Sequence, residues 1–350
     1  MHIRELLQLA EAAAASDLHL TEGSIPILRI DGQLRPLDNF EVLNKDVIKS
    51  MVFSVLSKQQ TERFESELEL DASFQLVGSL SRVRMNVHKQ RGAVEAAFRI
   101  ISPRSRSLED LGLPAVVVEL AMKQSGLVLI TGHAGVGKST TLAAMIEHIN
   151  NNKKAVIITI EDPIEYVFTN KKSVIKQREI GTDTKSYTNA LRHALRQDPD
   201  VIMIGEMRDL ETISVALTAA ETGHLVISTL HTPDASQTID RILDVFPTGR
   251  QEEVKTQLAS CLQGIVCQEL LMRSDGKSRA LAFEILICTH AVRNVIKTKN
   301  SQQLNTLIQT GAEYGMIPMD KSLKNLIDNR VITYNSAVQV ARNIEEFAKL

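Results

Sequence analysis

At 350 residues, 43% of them hydrophobic, the chain is long for one domain, and two or more are expected. Its 40 basic and 42 acidic residues leave a formal charge of −2, which argues against a generally basic nucleic-acid binder. Tryptophan is absent and aromatics make up only 4%, so stacking platforms for single strands are scarce. Cys261, Cys267 and Cys288 form no C-x-x-C pair and read as reduced, buried thiols. The N-terminus carries no signal-peptide core. No apolar run approaches the roughly 20 residues of a membrane span, because the best candidate, residues 213–230, contains Glu221 and His224. A cytoplasmic protein is expected, held at a membrane only through partners.

In chain order, Ile3, Leu6, Leu7 and Ala10 share one face of a first helix. Short strands follow at Leu18–Leu20 and Pro26–Ile30, the second running into an Asp31-Gly32 turn that signals a hairpin. Further strands are expected at Phe74–Val77, Arg82–Val87 and Ala93–Ile100. Residues 1–101 therefore read as an α+β unit with a mostly antiparallel sheet. The polar stretch 102–110, opening with Ser102-Pro103-Arg104, reads as a linker. Residues 111–285 alternate strands (Leu127–Thr131, Ala155–Ile160, Val201–Ile204, Leu225–Leu230) with helices such as Ser186–Arg196 and Leu210–Thr222. That rhythm predicts a parallel sheet covered on both faces, with ligands at the strands' C-terminal ends. Residues 286–350 are helical in pattern.

The most specific motif opens after the first strand of the second unit. Gly132-His133-Ala134-Gly135-Val136-Gly137-Lys138-Ser139 fits G-x-x-x-x-G-K-[ST], between a strand and a helix that continues through Thr140 and Thr141. Its glycines let backbone N–H groups curl around phosphates, and the helix N-terminus adds partial positive charge. Lys138 is placed to reach the β/γ-phosphates, and the Ser139 hydroxyl to bind Mg²⁺. ATP with Mg²⁺ is the expected ligand. The next three strands end in further chemistry. One leads into Glu161-Asp162-Pro163-Ile164-Glu165, carboxylates suited to holding Mg²⁺ through water or polarising an attacking water. Another leads into Gly205-Glu206, the position of a Walker B carboxylate with Glu where Asp is usual; Glu206 reads as a ligand to a Mg²⁺-bound water, the alternative being a plain loop residue. The last leads into His231-Thr232, where His231 is placed to sense the terminal phosphate; His224, before that strand, reads equally as structural or nucleotide-linked. Arg82, Arg84, Arg91 and Arg99 are either a solvated strand face or a source of arginine fingers, Arg84 and Arg99 being the candidates for nucleotide contact. Arg196, Arg208 and Arg241 are further phosphate or inter-subunit candidates.

Together these motifs resemble the secretion-type ATPases of type IV pilus machines, most nearly the pilus retraction (PilT) family. The resemblance runs nearly end to end. It includes Ala15–Leu20, the P-loop, Ile158–Glu165 as the Asp box, Ala190–Asp200, Gly205–Asp209, Thr222–His224 and Ser228–Thr232 as the His box. It implies a PAS-like α+β N-terminal domain, a RecA-like P-loop NTPase core and a helical C-terminal region. It also implies ATP between the two domains, a homohexameric ring, Glu165 as catalytic glutamate and Glu206 as Walker B carboxylate. Retraction is favoured over assembly or secretion because the extra N-terminal region and four-cysteine zinc site usual in those relatives are missing. In addition, Ala291–Thr298 is similar to the retraction signature A-I-R-N-L-I-R-E, departing at Val292, Val295, Lys297 and Thr298. A second departure is His133-Ala134, where the family often has Pro-Thr. The implied partners are an inner-membrane platform protein and, through it, pilin. A secretion, assembly or DNA-uptake ATPase is the alternative within the superfamily, and a nucleotide-gated adaptor with little hydrolysis is the alternative outside it.

Overall fold

The computed structural model describes residues 2–30, 32–76, 78–79, 81–101, 106–298, 300, 302–342 and 344–347. The chain divides into two compact units, residues 1–104 with 163–167 and residues 105–162 with 168–350.

In the first unit, helix α1 (Ile3–Ala12) precedes three short strands, β1 (Asp17–Leu20), β2 (Ile27–Ile30) and β3 (Gln33–Pro36). Helices α2 (Lys45–Phe53) and α3 (Lys58–Glu67) and strands β4 (Glu69–Gln75), β5 (Arg82–Gln90) and β6 (Ala93–Ile101) complete it. All six strands pair antiparallel in the order β3-β2-β1-β6-β5-β4, as the alternating patterns predict. The β2–β3 hairpin closes at Ile30↔Gln33, with Gly32 at φ +80°; Asp31 of the expected turn and Val77 of the expected strand lie outside the described residues. The strand expected at Phe74 begins five residues earlier, at Glu69. Leu6, Leu18, Met85, Val87 and Phe98 are buried in this unit's core, leaving the other sheet face polar. Helices α2 and α3 start on side-chain caps from Asn44 and Ser57, which satisfy otherwise orphaned N–H groups.

The second unit holds helix α4 (Ala115–Ala121), strand β7 (Gly126–Thr131), helix α5 (Lys138–Asn152) and strands β8 (Val156–Glu161) and β9 (Val174–Glu179). It continues with α6 (Tyr187–Ala194), β10 (Val201–Ile204), α7 (Leu210–Glu221), β11 (Leu225–Leu230), α8 (Ala235–Asp244) and α9 (Gln251–Cys261). Strands β12 (Leu262–Met272) and β13 (Arg279–Ile287) precede α10 (His290–Thr298), α11 (Gln302–Thr310), α12 (Met319–Asp328) and two short helices. The sheet order is β13-β12-β7-β11-β10-β8-β9, parallel except for β13. Its strands are apolar on both faces because both are covered. Leu127, Leu129, Ile158 and Ile202 face one core, and Val128, Ile130, Ile157 and Met203 the other.

Three strands here exceed the sequence expectation. The chain of β12, rich in Leu, Gln, Glu and Met, has helix-forming composition, and it is buried on both sides, so no period of two is visible. The expected linker also differs. Its residues 102–105 lie outside the described residues, while Leu108 is buried with Val117 and Leu120, so residues 106–110 belong to the second unit.

Candidate nucleotide site

The backbone leaves β7 through a loop that only glycine permits. Gly132 sits at φ +133°, and a Cβ there would lie 2.4 Å from the Gln268 carbonyl oxygen of β12. Gly137, at φ +91°, is the residue on which α5 starts. His133, Ala134 and Gly135 are exposed at the crest, whereas Val136, Lys138 and Thr141 are buried and Ser139 and Thr140 half-buried. The first N–H groups of α5 have no acceptor within their own helix and so are available to an anion. Gln268 donates its amide N–H to the Thr141 hydroxyl at 2.6 Å, tying the first turn of α5 to β12. Glu269 stands 4.0 Å from His133 Nε2, and Arg279 donates to the Gly135 carbonyl at 3.4 Å.

Lys138 is 8% exposed, and its ammonium donates to the carbonyls of Gly132 (2.7 Å) and His133 (2.9 Å). It also lies 3.3 Å from His231 Nδ1. Burial lowers its pKa, while the Glu206 and Glu269 carboxylates partly restore it. An ammonium has no acceptor, so His231 Nδ1 must receive this bond, and Nε2–H is then free to donate to Glu206 Oε1 at 3.2 Å. The other oxygen of Glu206 accepts from Arg208 at 2.7 Å. Burial alone would raise the Glu206 pKa, but the hydrogen bond and charge of Arg208, with the hydrogen bond from His231, outweigh it, and the carboxyl titrates below its ordinary value. A continuous polar chain thus runs Lys138–His231–Glu206–Arg208.

The sheet assembles this chain. Strands β10 and β11 are adjacent and parallel, so Glu206 and His231 emerge side by side. The Thr229 hydroxyl donates to the Gly205 carbonyl at 2.6 Å, and the Ser228 hydroxyl to the Ile204 carbonyl at 2.9 Å, which fix the loop carrying Glu206. A cavity of about 400 Å³ opens here, lined by Glu206, Arg208, Leu230, His231, Thr232 and Arg241. Glu161 ends β8 and is 7% exposed; it accepts from the Thr159 hydroxyl (2.6 Å) and the Gln177 amide (3.2 Å). Tyr187, at the start of α6, escaped the sequence reading. A Cβ on Gly205 would lie 3.3 Å from its hydroxyl, and burial with the charges of Asp162 and Glu206 pushes its pKa up. Only its place after a good N-cap, Ser186, hinted that its helix begins beside the carboxylates.

A model of the family described as type II/IV secretion system protein matches residues 1–344. The chain belongs to that family. It is 44% identical to the type IV pilus retractation ATPase PilT of Pseudomonas aeruginosa over 347 residues, covering 99% of this chain and 100% of the relative. It is 45% identical to a twitching motility protein of Neisseria gonorrhoeae over 323 residues, covering 92% of this chain and 86% of that protein. The crystal structure of the pilus retraction motor PilT with bound ADP superposes with a TM-score of 0.94 at 45% identity, each chain covered in full.

Within this secretion-family chain, the structure brings together Gly132 to Thr141, Glu206 and His231. His224 does not join them. Its strand pairs Leu225↔Gly126 through Leu230↔Thr131, so His224 lies at the opposite end of the sheet, about 20 Å of strand from the P-loop. There its Nδ1 lies 2.9 Å from the Ala219 carbonyl, and its ring finishes the end of α7. This contact supports the structural reading of His224. Glu165, half-buried, is grouped with the first unit. Arg84 and Arg99 are direct cross-strand partners on that unit's exposed face, and Arg99 is paired with Asp17 at 2.9 Å. The signature segment Ala291–Thr298 lies in α10, where Val292, Val295 and Ile296 are buried. Arg293 donates to the carbonyls of Ala259 and of Ser260 (2.7 Å) at the end of α9. The three cysteines are free and buried, as expected. Among the described residues, no helix is long and apolar enough to cross a membrane.

Proposed function

We propose that this protein is the ATP-hydrolysing motor of type IV pilus retraction, working as a homohexamer against an inner-membrane platform protein so that pilin leaves the fibre. The observation that carries the reading is the Lys138–His231–Glu206–Arg208 chain at the mouth of the P-loop, in a chain alike over its whole length to a retraction ATPase. The N–H groups of the loop and of the first turn of α5 hold the phosphates. Lys138, parked on two carbonyls, exchanges them for phosphate oxygens. His231 then loses its ammonium partner and turns to the terminal phosphate, so the state of the nucleotide is passed to Glu206 and Arg208.

The donors fit Mg²⁺. The Ser139 hydroxyl and the ionised Glu206 carboxylate are hard oxygens, with Glu161 behind them. Among the described residues no cluster of three or more metal-binding side chains occurs, which suits an ion held mainly by water and substrate oxygens. When bound, Mg²⁺ neutralises charge developing on the phosphate oxygens. Glu165 is the proposed base that polarises water, and Arg84 and Arg99 the proposed cations toward phosphate. The proposed domains are residues 1–101, an ATPase core that takes in residues 106–110 and runs to 285, and a helical C-terminal region 286–350; the proposed place of work is the cytoplasmic face of the inner membrane.

Lys138→Ala is expected to abolish turnover, and normal hydrolysis by that variant would remove the assignment. Fibre counts in cells carrying Glu165→Ala separate the two directions of work. More fibres with no shortening support retraction; loss of fibres moves the protein to assembly.

A further inference from the structure

Four residues, His231 to Asp234, connect β11 to α8. The front of this loop is held by the nucleotide machinery, through Lys138 and Glu206 on His231. Its back is held by residues that the hydrolysis chemistry does not use. The guanidinium of Arg342, near the end of the chain, donates to the Pro233 carbonyl, 109 residues away in sequence. Proline has no N–H, so this carbonyl is its sole backbone hydrogen-bonding group. Two residues further on, the Ala235 N–H that opens α8 donates to Glu284 Oε1 at 3.0 Å. Arg342 is itself anchored, its backbone N–H donating to Asp320 Oδ1 of α12 at 2.8 Å.

Glu284 is 5% exposed, an unusual place for a carboxyl. Burial pushes its pKa up, and the Ala235 N–H and the Arg342 charge hold it back, against Asp234. Its position follows from register. Glu284 of β13 pairs with Cys267 of β12, and Cys267 with Thr131 of β7, the residue before Gly132. A buried polar row therefore runs beneath the sheet's edge from the base of the P-loop to the start of α8. From α8, the Thr238 hydroxyl donates to the Asp234 carbonyl and meets the Thr232 hydroxyl, each at 2.6 Å, which ties the loop at two points to the helix it leads into. Helix α8 also carries Arg241 to the cavity beside Glu206.

We infer that Arg342 and Glu284 are positioning residues that set the His231 loop from behind, coupling the C-terminal segment to the sensing of the terminal phosphate. The inference rests on the proposed role of His231. A ligand or subunit that moves the Arg342 segment will loosen the Pro233 carbonyl and change how His231 meets ATP, while the P-loop's hold on the phosphates shared by ADP stays as it was.

The test uses the full chain with Arg342→Ala, Arg342→Lys, His231→Ala and the double variant Arg342→Ala/His231→Ala. Binding of ADP and of a non-hydrolysable ATP analogue is measured beside kcat. Losing one charge-assisted hydrogen bond at an exposed guanidinium is expected to lower kcat about tenfold and to erase the preference for the ATP analogue by a similar factor. ADP affinity should stay within about twofold, because ADP lacks the γ-phosphate that His231 senses, and Arg342→Lys should recover part of the loss. Adding Arg342→Ala to His231→Ala should change the preference no further, since both act through one contact. If Arg342→Ala keeps the preference and His231→Ala loses it, the coupling is wrong and the role of His231 stands. If His231→Ala keeps it, the reading beneath fails. Equal loss of ADP and analogue affinity in Arg342→Ala would show general damage and overturn the positioning role.

Discussion

Gly132→Ala tests the architecture of the phosphate loop, with Gly135→Ala as its control. Both glycines have positive φ, +133° and +81°, so both substitutions place an L side chain in backbone regions that favour glycine. That strain costs about 1–3 kcal/mol at either position. The surroundings separate them. At Gly135 a Cβ meets nothing within 4 Å, but at Gly132 it would lie 2.4 Å from the Gln268 carbonyl oxygen and 2.8 Å from Val136 Cγ2. The first neighbour is backbone in a strand paired directly with β7, so it cannot swing aside as a long side chain would. Overpacking of this kind adds about 1–3 kcal/mol, which brings Gly132→Ala to about 2–6 kcal/mol against about 1–3 for Gly135→Ala. A chain with two compact units and no tryptophan is poorly served by a single fluorescence transition. Hydrogen exchange of the β7 and β12 amides in graded urea, without nucleotide, reads the local free energy directly. Equal costs for the two variants would refute the argument that the close approach of β12, rather than φ alone, demands glycine at 132.

Three further outcomes follow from individual polar contacts. Glu284→Gln keeps an oxygen for the Ala235 N–H but removes a carboxyl whose pKa is raised by burial. A raised carboxyl loses folded-state stability as pH climbs from its unfolded value of about 4.3, so the variant should gain on the parent as pH rises above about 4 in urea titrations. A gap that shrinks over that range would contradict the assigned sign. His224→Ala should cost about 1 kcal/mol through the lost contact at the end of α7, and leave ADP affinity unchanged by calorimetry. A tenfold weaker ADP affinity would return His224 to the site. Arg293→Ala strips a charged donor from two carbonyls at the C-terminus of α9 and should cost about 1–3 kcal/mol, with Arg293→Lys recovering part of it. No loss of stability in thermal melts would show that the arginine of the signature segment is free for another task.

Much of this protein is written in short-range pattern. Gly132 to Ser139 is legible because backbone conformation and N–H direction depend on a few consecutive residues. The parallel strands Leu127–Thr131, Val201–Ile204 and Leu225–Leu230 are legible because burial on both faces demands unbroken apolar runs. Polar residues after them mark the functional edge, since ligands collect at strand C-termini. The same reasoning could not choose between roles for His224, because the histidine lies next to the correct strand and only the strand's direction puts it at the wrong end. Strand β12 was hidden by helix-forming residues that the sheet overrides through burial. The chain from Lys138 to His231 joins residues 93 apart, and the contact of Arg342 with Pro233 joins residues 109 apart. No local pattern encodes such pairs. They exist because the order β12-β7-β11-β10 lays distant segments side by side, and strand order is settled by packing the whole sheet between its helices.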